Sequence, residues 1–272
     1  MHSGIGNAQI LADKGIHPVH HLFGVGENLQ DHFYTHSVYS CTPDSSLNKD
    51  FSSWRQLLHG IQYLLTHKGA LTMGASQAVA FVKALPDSQR ADTQINFKPV
   101  TWERKPDGSV SIIKTPEFSA ASCFLRPYSR GRVGIRSNDP MAAPVICANY
   151  LGAEKDKQAV LNSFRIARSI FSQPALRGRV KAENLPGALV QDDDALMGYV
   201  RRYGASMHHW VGTCSMGSDE DAVVDERLRV HGIASLRVAD ASVFPLIPST
   251  NTNAPTFMLA DRAAKLILED VN

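Results

Sequence analysis

Apolar positions recur at helical spacing in three long stretches of the chain. Trp54, Leu57, Leu58, Ile61, Tyr63, Leu64 and Leu65 predict a helix over 51–67, ended by Gly69. Val160, Leu161, Phe164, Ala167, Ile170 and Phe171 predict a second, begun at Asp156 and stopped before Pro174. Met258, Leu259, Ala263, Leu266 and Ile267 predict a closing helix from Pro255, a proline at the first helical position behind polar residues. Shorter helices are expected between the capping Asn7 and the stop at Gly15, and over 189–203. Aromatic and β-branched runs predict strands at 33–41, 78–83, 93–97, 121–125, 132–136, 145–148 and 236–238. Pro127, Asn138-Asp139-Pro140 and Pro144 punctuate them as turns. Regular alternation of strand and helix is missing, so the pattern predicts an α+β fold, an antiparallel sheet covered by helices.

At 272 residues the chain has room for one large or two modest domains. A net charge of +2, with the basic residues dispersed, gives no electrostatic case for nucleic acid or an acidic membrane surface. Cys41, Cys123, Cys147 and Cys214 form no CxxC pair, which favours reduced thiols. No apolar run reaches the length of a membrane span, and the N-terminus lacks a signal peptide's regions, so a cytoplasmic protein is expected. No strand precedes Ser3-Gly4-Ile5-Gly6, and the chain is expected to begin inside a larger fold.

Two stretches approach the dinucleotide fingerprint G-x-G-x-x-G and fail it. The third glycine position is Gln9 in one and Leu29 in the other, so both read as structural turns. His17, His20 and His21 have no neighbouring carboxylate or cysteine, and no metal site is expected. Gly204-Ala205-Ser206-Met207-His208 fails as a serine-hydrolase elbow at its last position. His209 has a better case, since Gly212 and Gly217 flank its loop and allow backbone to approach a flat ligand. Asn253 stands at the entry to the last helix, where free N–H groups and the helix dipole favour negative charge. Simple capping would also account for it.

The motifs resemble those of the glucose-methanol-choline (GMC) family of FAD-dependent alcohol oxidoreductases, its C-terminal half only. Ser3-Gly4-Ile5-Gly6 resembles the end of the family's second signature, and Gly24-Val25-Gly26-Glu27-Asn28-Leu29-Gln30-Asp31-His32 its GxGxNLQDH segment. Ser129-Arg130-Gly131, Asp139-Pro140 and Asn149-Tyr150-Leu151 are similar to its substrate-domain stretch. The run from His209 through Asn251-Thr252-Asn253-Ala254-Pro255-Thr256 is similar to its closing block.

The resemblance implies FAD as cofactor and an alcohol as small-molecule substrate. It implies His209 as catalytic base and Asn253 as donor to the substrate oxygen, with Asp240, Ala241, Asn251, Pro255 and Thr256 at the FAD. It divides the chain into a remnant of an FAD-binding α/β domain at 1–32, a substrate domain at 33–205 and a return to the FAD domain at 206–272. The family's nucleotide-binding half has no counterpart here, so a second chain supplying it is one expected partner. A non-catalytic fragment or interaction protein is the competing reading. Trp210 stands where the family usually has proline. Phe33 and Tyr34 are followed by no carboxylate before Asp44, which argues against a choline cage.

Overall fold

The computed structural model describes residues 1–51, 53–74, 76–104, 107 and 109–271. The chain opens with β1 (Ile5–Gly6), α1 (Ala8–Asp13) and β2 (His20–His21), the two strands pairing in parallel. Asn7 caps α1, its side-chain oxygen accepting from the Gln9 and Ile10 amides at 3.1 and 3.3 Å. Next come β3 (Phe33–Cys41), α2 (Ser53–Thr66), β4 (Ala78–Val82), β5 (Thr93–Lys98), β6 (Trp102–Arg104), β7 (Val110–Ile112) and β8 (Glu117–Phe124). The remaining elements are β9 (Arg132–Gly134), β10 (Val145–Cys147), α3 (Glu154–Phe171), α4 (Pro174–Arg177), β11 (Val180–Leu185), α5 (Asp193–Tyr203), β12 (Ala205–Ser206) and α6 (Asn253–Val271).

These elements form two compact units, one of residues 1–33, 125–156 and 206–272, the other of 34–124 and 157–205. Residues 125–156, which the sequence reading places in the middle segment, thus belong with the two ends. Their backbone explains it. Leu29 and Gly131 exchange hydrogen bonds of 2.9 and 2.8 Å, and the Val133 amide donates to the Gly26 carbonyl at 2.7 Å. The buried Asp156 carboxylate then accepts from the Tyr128 and Ser129 amides, both at 2.8 Å.

In the second unit, strands run β11-β3-β8-β5-β4, every neighbouring pair antiparallel. Period-two alternation sends Tyr39, Cys41, Ile95, Phe118 and Ala120 to one face, where α3 packs Ala167 and Phe171 against them. This is the predicted sheet covered by helix. Strand β8 begins four residues before the predicted start because all eight of its residues are buried, which removes the alternation that marks a half-exposed strand. Strand β11 is polar and was not predicted; non-local pairing with β3 makes it a strand. Arg168 of α3 reaches it with a bidentate contact to Glu183 at 2.9 and 2.8 Å. That carboxylate raises the Arg168 pKa above its ordinary value.

The first unit has its own core. Leu259, Ala263 and Leu266 of α6 pack on Val223, Val224, Leu228, Val230 and Val243. The strand predicted at 236–238 reduces to a single bridge between Arg237 and Arg229. Leu228 and Ser235 turn through left-handed φ values of +64° and +59°, which breaks the ladder on both sides. Helix α6 starts at Asn253 and not at Pro255. Its first bond runs from the Thr256 amide to the Thr252 carbonyl at 3.0 Å, so Pro255 stands third. Among the described residues, no helix is long and apolar enough to cross a membrane.

Candidate active site

The segment leading to His32 lies alongside the loop that carries His209. Gln30 and Val211 exchange backbone bonds of 3.0 and 2.9 Å, the Met207 amide donates to the His32 carbonyl at 2.8 Å, and the Gly26 amide to the Thr213 carbonyl at 2.8 Å. Gly212 makes the close pairing feasible. Its φ is +100°, and a Cβ there would sit 2.1 Å from the Asn28 carbonyl oxygen. At Gly212 the closely approaching group is therefore Asn28 backbone and not a flat ligand.

Asp31 fixes the loop from below. Its buried carboxylate accepts from the His209 amide at 2.8 Å and from the hydroxyls of Tyr150 and Ser206, both at 2.5 Å. His209 itself is half-buried, with contacts at both ring nitrogens. Nδ1 lies 2.9 Å from His32 Nδ1, and Nε2 lies 3.1 Å from Asn251 Nδ2. The His32 Nε2 continues the chain to the Leu125 carbonyl at 3.1 Å. Burial lowers the His209 pKa, the Asp31 charge opposing it and His208 adding to it. His32 is more deeply enclosed, and burial above all takes its pKa down to about 4.

The structure sorts the residues named from the sequence. The amide that reaches His209 belongs to Asn251, which the resemblance assigned to the cofactor. Asn253 opens α6 as its first helical residue, with an exposed side chain. Thr256 spends its hydroxyl on the Thr252 carbonyl at 2.7 Å. Asp240 caps the turn Ala241–Val243, accepting from the Ser242 amide and hydroxyl at 2.8 and 2.5 Å. Pro255 is half-buried in the first turn of α6. His20 and His21 are engaged with backbone, at the His231 carbonyl (2.9 Å) and the Ala8 amide (3.1 Å).

Asp31 and His32 received no role from the sequence, although both stand in the string Asn28-Leu29-Gln30-Asp31-His32. Two adjacent polar residues that are both buried would have been the signal, and burial is not written in the string. Beside them, Leu29, Val133, Ile146, Trp210, Val211, Thr213 and Ser242 line a cavity of about 180 Å³.

Residues 127–260 match the family described as GMC oxidoreductase, and the chain belongs to that family, corresponding to the C-terminal half of its members. It is 38% identical over 268 residues to the oxygen-dependent choline dehydrogenase of Chromohalobacter salexigens, a match covering 97% of this chain and 47% of that protein. It is 36% identical over 273 residues to the alcohol dehydrogenase [acceptor] of Pseudomonas putida, covering 100% and 49% respectively. The chain spans about half the length of the curated relatives it matches. Among solved structures, formate oxidase from Aspergillus oryzae RIB40 superposes with a TM-score of 0.89 at 22% identity, over 99% of this chain and 51% of that one. This last likeness speaks for the α+β fold.

Proposed function

We propose that this chain carries the proton-handling groups of an FAD-dependent oxidoreductase acting on the CH–OH group of an alcohol. One observation supports the reading most: the half-buried imidazole of His209, clamped through its amide by Asp31, presents Nε2 beside the amide of Asn251. Burial holds that imidazole below its ordinary pKa, so it is neutral near pH 7 and free to accept a proton.

In this reading His209 takes the hydroxyl proton, which loosens the hydride on the adjacent carbon. General-base help of this kind is worth about 10²–10⁴ in rate. Asn251 and Asn253 offer amide donors to the oxygen as it gains charge. Bound FAD supplies the hydride acceptor.

The residues at the start of α6 suit an electron-rich ring. Asn251, Asn253 and Ala254 are exposed, and the amides ahead of Thr256 precede the first intrahelical bond, where the helix favours negative charge. Asp240 and Thr256 have their side chains committed locally, so they and Ala241 and Pro255 would hold the cofactor through backbone and packing.

The test is direct. Protein loaded with FAD is mixed anaerobically with primary and secondary alcohols while the visible absorbance of the flavin is followed. Bleaching is expected, and His209→Ala should slow it by about 10²-fold or more. A flavin that keeps its colour with every alcohol overturns the proposal and favours a non-catalytic interaction protein.

A further inference from the structure

The contacts around His209 specify where its proton sits. The Leu125 carbonyl carries no hydrogen, so the His32 Nε2 that meets it at 3.1 Å is the donor. Burial keeps His32 neutral above about pH 4, and a neutral imidazole has one N–H. The His32 Nδ1 is therefore bare. It lies 2.9 Å from His209 Nδ1, and two bare nitrogens make no bond, so His209 Nδ1 must carry the hydrogen. In the neutral His209 ring Nε2 is then bare, and it faces an amide donor from Asn251 at 3.1 Å. Every contact in the series now has one donor and one acceptor. The opposite tautomer would leave the two Nδ1 atoms both bare and turn the Nε2–H toward the Asn251 amine.

We propose that His32 is a positioning residue that sets the tautomer of His209, holding its hydrogen on Nδ1 and leaving Nε2 as the atom that receives the alcohol proton. The inference rests on the reading of His209 as the base. Once Nε2 is protonated, the imidazolium still donates through Nδ1 to His32, now as a charge-assisted bond. His32 keeps its own hydrogen on Nε2 throughout, bonded to Leu125, so it neither gains nor loses a proton in the cycle. Among the described residues, Asp31 and His208 also act electrostatically on His209, and their effects oppose each other.

The experiment uses protein labelled with ¹⁵N-histidine at pH 7.5, with the His209 signals assigned through a His209 variant. A pyrrole-type Nδ1 and a pyridine-type Nε2 are expected in the wild type. In His32→Phe the two shifts should move toward each other, and flavin reduction should slow by about 10²-fold, the low end of what a base supplies, at unchanged apparent alcohol affinity. In His32→Asn the amide oxygen replaces the Nδ1 acceptor, and much of the rate and the shift pattern should return. A protonated Nε2 in the wild type overturns the proposal, and that spectrum decides the matter even if His32→Phe fails to fold. Unchanged shifts and rate in His32→Phe overturn it as well. If no alcohol reduces the flavin, the base reading falls, while the nitrogen shifts still decide the tautomer.

Discussion

At the scale of single residues, three donors converge on the buried Asp31 carboxylate: the His209 amide and the hydroxyls of Tyr150 and Ser206. Asp31→Asn removes the charge and replaces one acceptor oxygen with an NH₂ group, so these contacts lose their charge-assisted character and the group facing the NH₂ can no longer donate to it. A hydrogen bond to a charged group contributes about 1.5–3 kcal/mol. Denaturant unfolding should therefore show a loss of about that size, with slower flavin reduction because the His209 backbone is released. A variant as stable and as fast as the wild type would mean that the carboxylate positions nothing. Part of this candidate site was legible by type: His209 stands beside glycine turns, and Asn251 and Asn253 stand at a helix entry. The pairing of His32 with His209 was not, because it joins positions 177 apart through the fold. Which asparagine meets His209 was hidden as well: α6 starts at Asn253 instead of Pro255, which leaves Asn251 on the loop beside the imidazole.

Among the elements, α3 was readable from its apolar spacing, and its attachment to β11 was not. Strand β11 is polar and sits at one end of the sheet order, so only its register with β3 identifies it. The link is the Arg168–Glu183 pair, whose side chains are 18% and 9% exposed. Removing one partner of such a half-buried pair leaves a poorly solvated charge without compensation, at a cost of at most about 3–5 kcal/mol. Arg168→Ala should lower unfolding stability by up to that amount, as read by urea denaturation. The double variant Arg168→Met, Glu183→Gln should recover part of it. Equal losses in the single and double variants would show that the pair is not the cause.

For the molecule as a whole, the fold class was legible because sheet and helix periodicities are distinct along the chain. The grouping of 125–156 with the ends was hidden, since it depends on backbone bonds from Gly131 and Val133 to residues about a hundred positions earlier. Apolar spacing also fails to say what a helix packs against. Leu64 and Leu65 of α2 are 75% and 78% exposed, and Phe257 and Met258 of α6 are 71% and 64% exposed.

Chemistry that runs through neutral His209 must follow the ionisation of that imidazole. Burial places the His209 pKa below the ordinary histidine value of 6.5, so the basic form persists to the acid side of it. The rate of alcohol-dependent flavin reduction, measured from pH 4.5 to 8, should be level at neutral pH and fall through one ionisation below 6.5. In His209→Gln it should be about 10²–10⁴-fold lower and lack that acid limb. A His209→Gln protein that keeps both the rate and the limb would show that His209 is not the base.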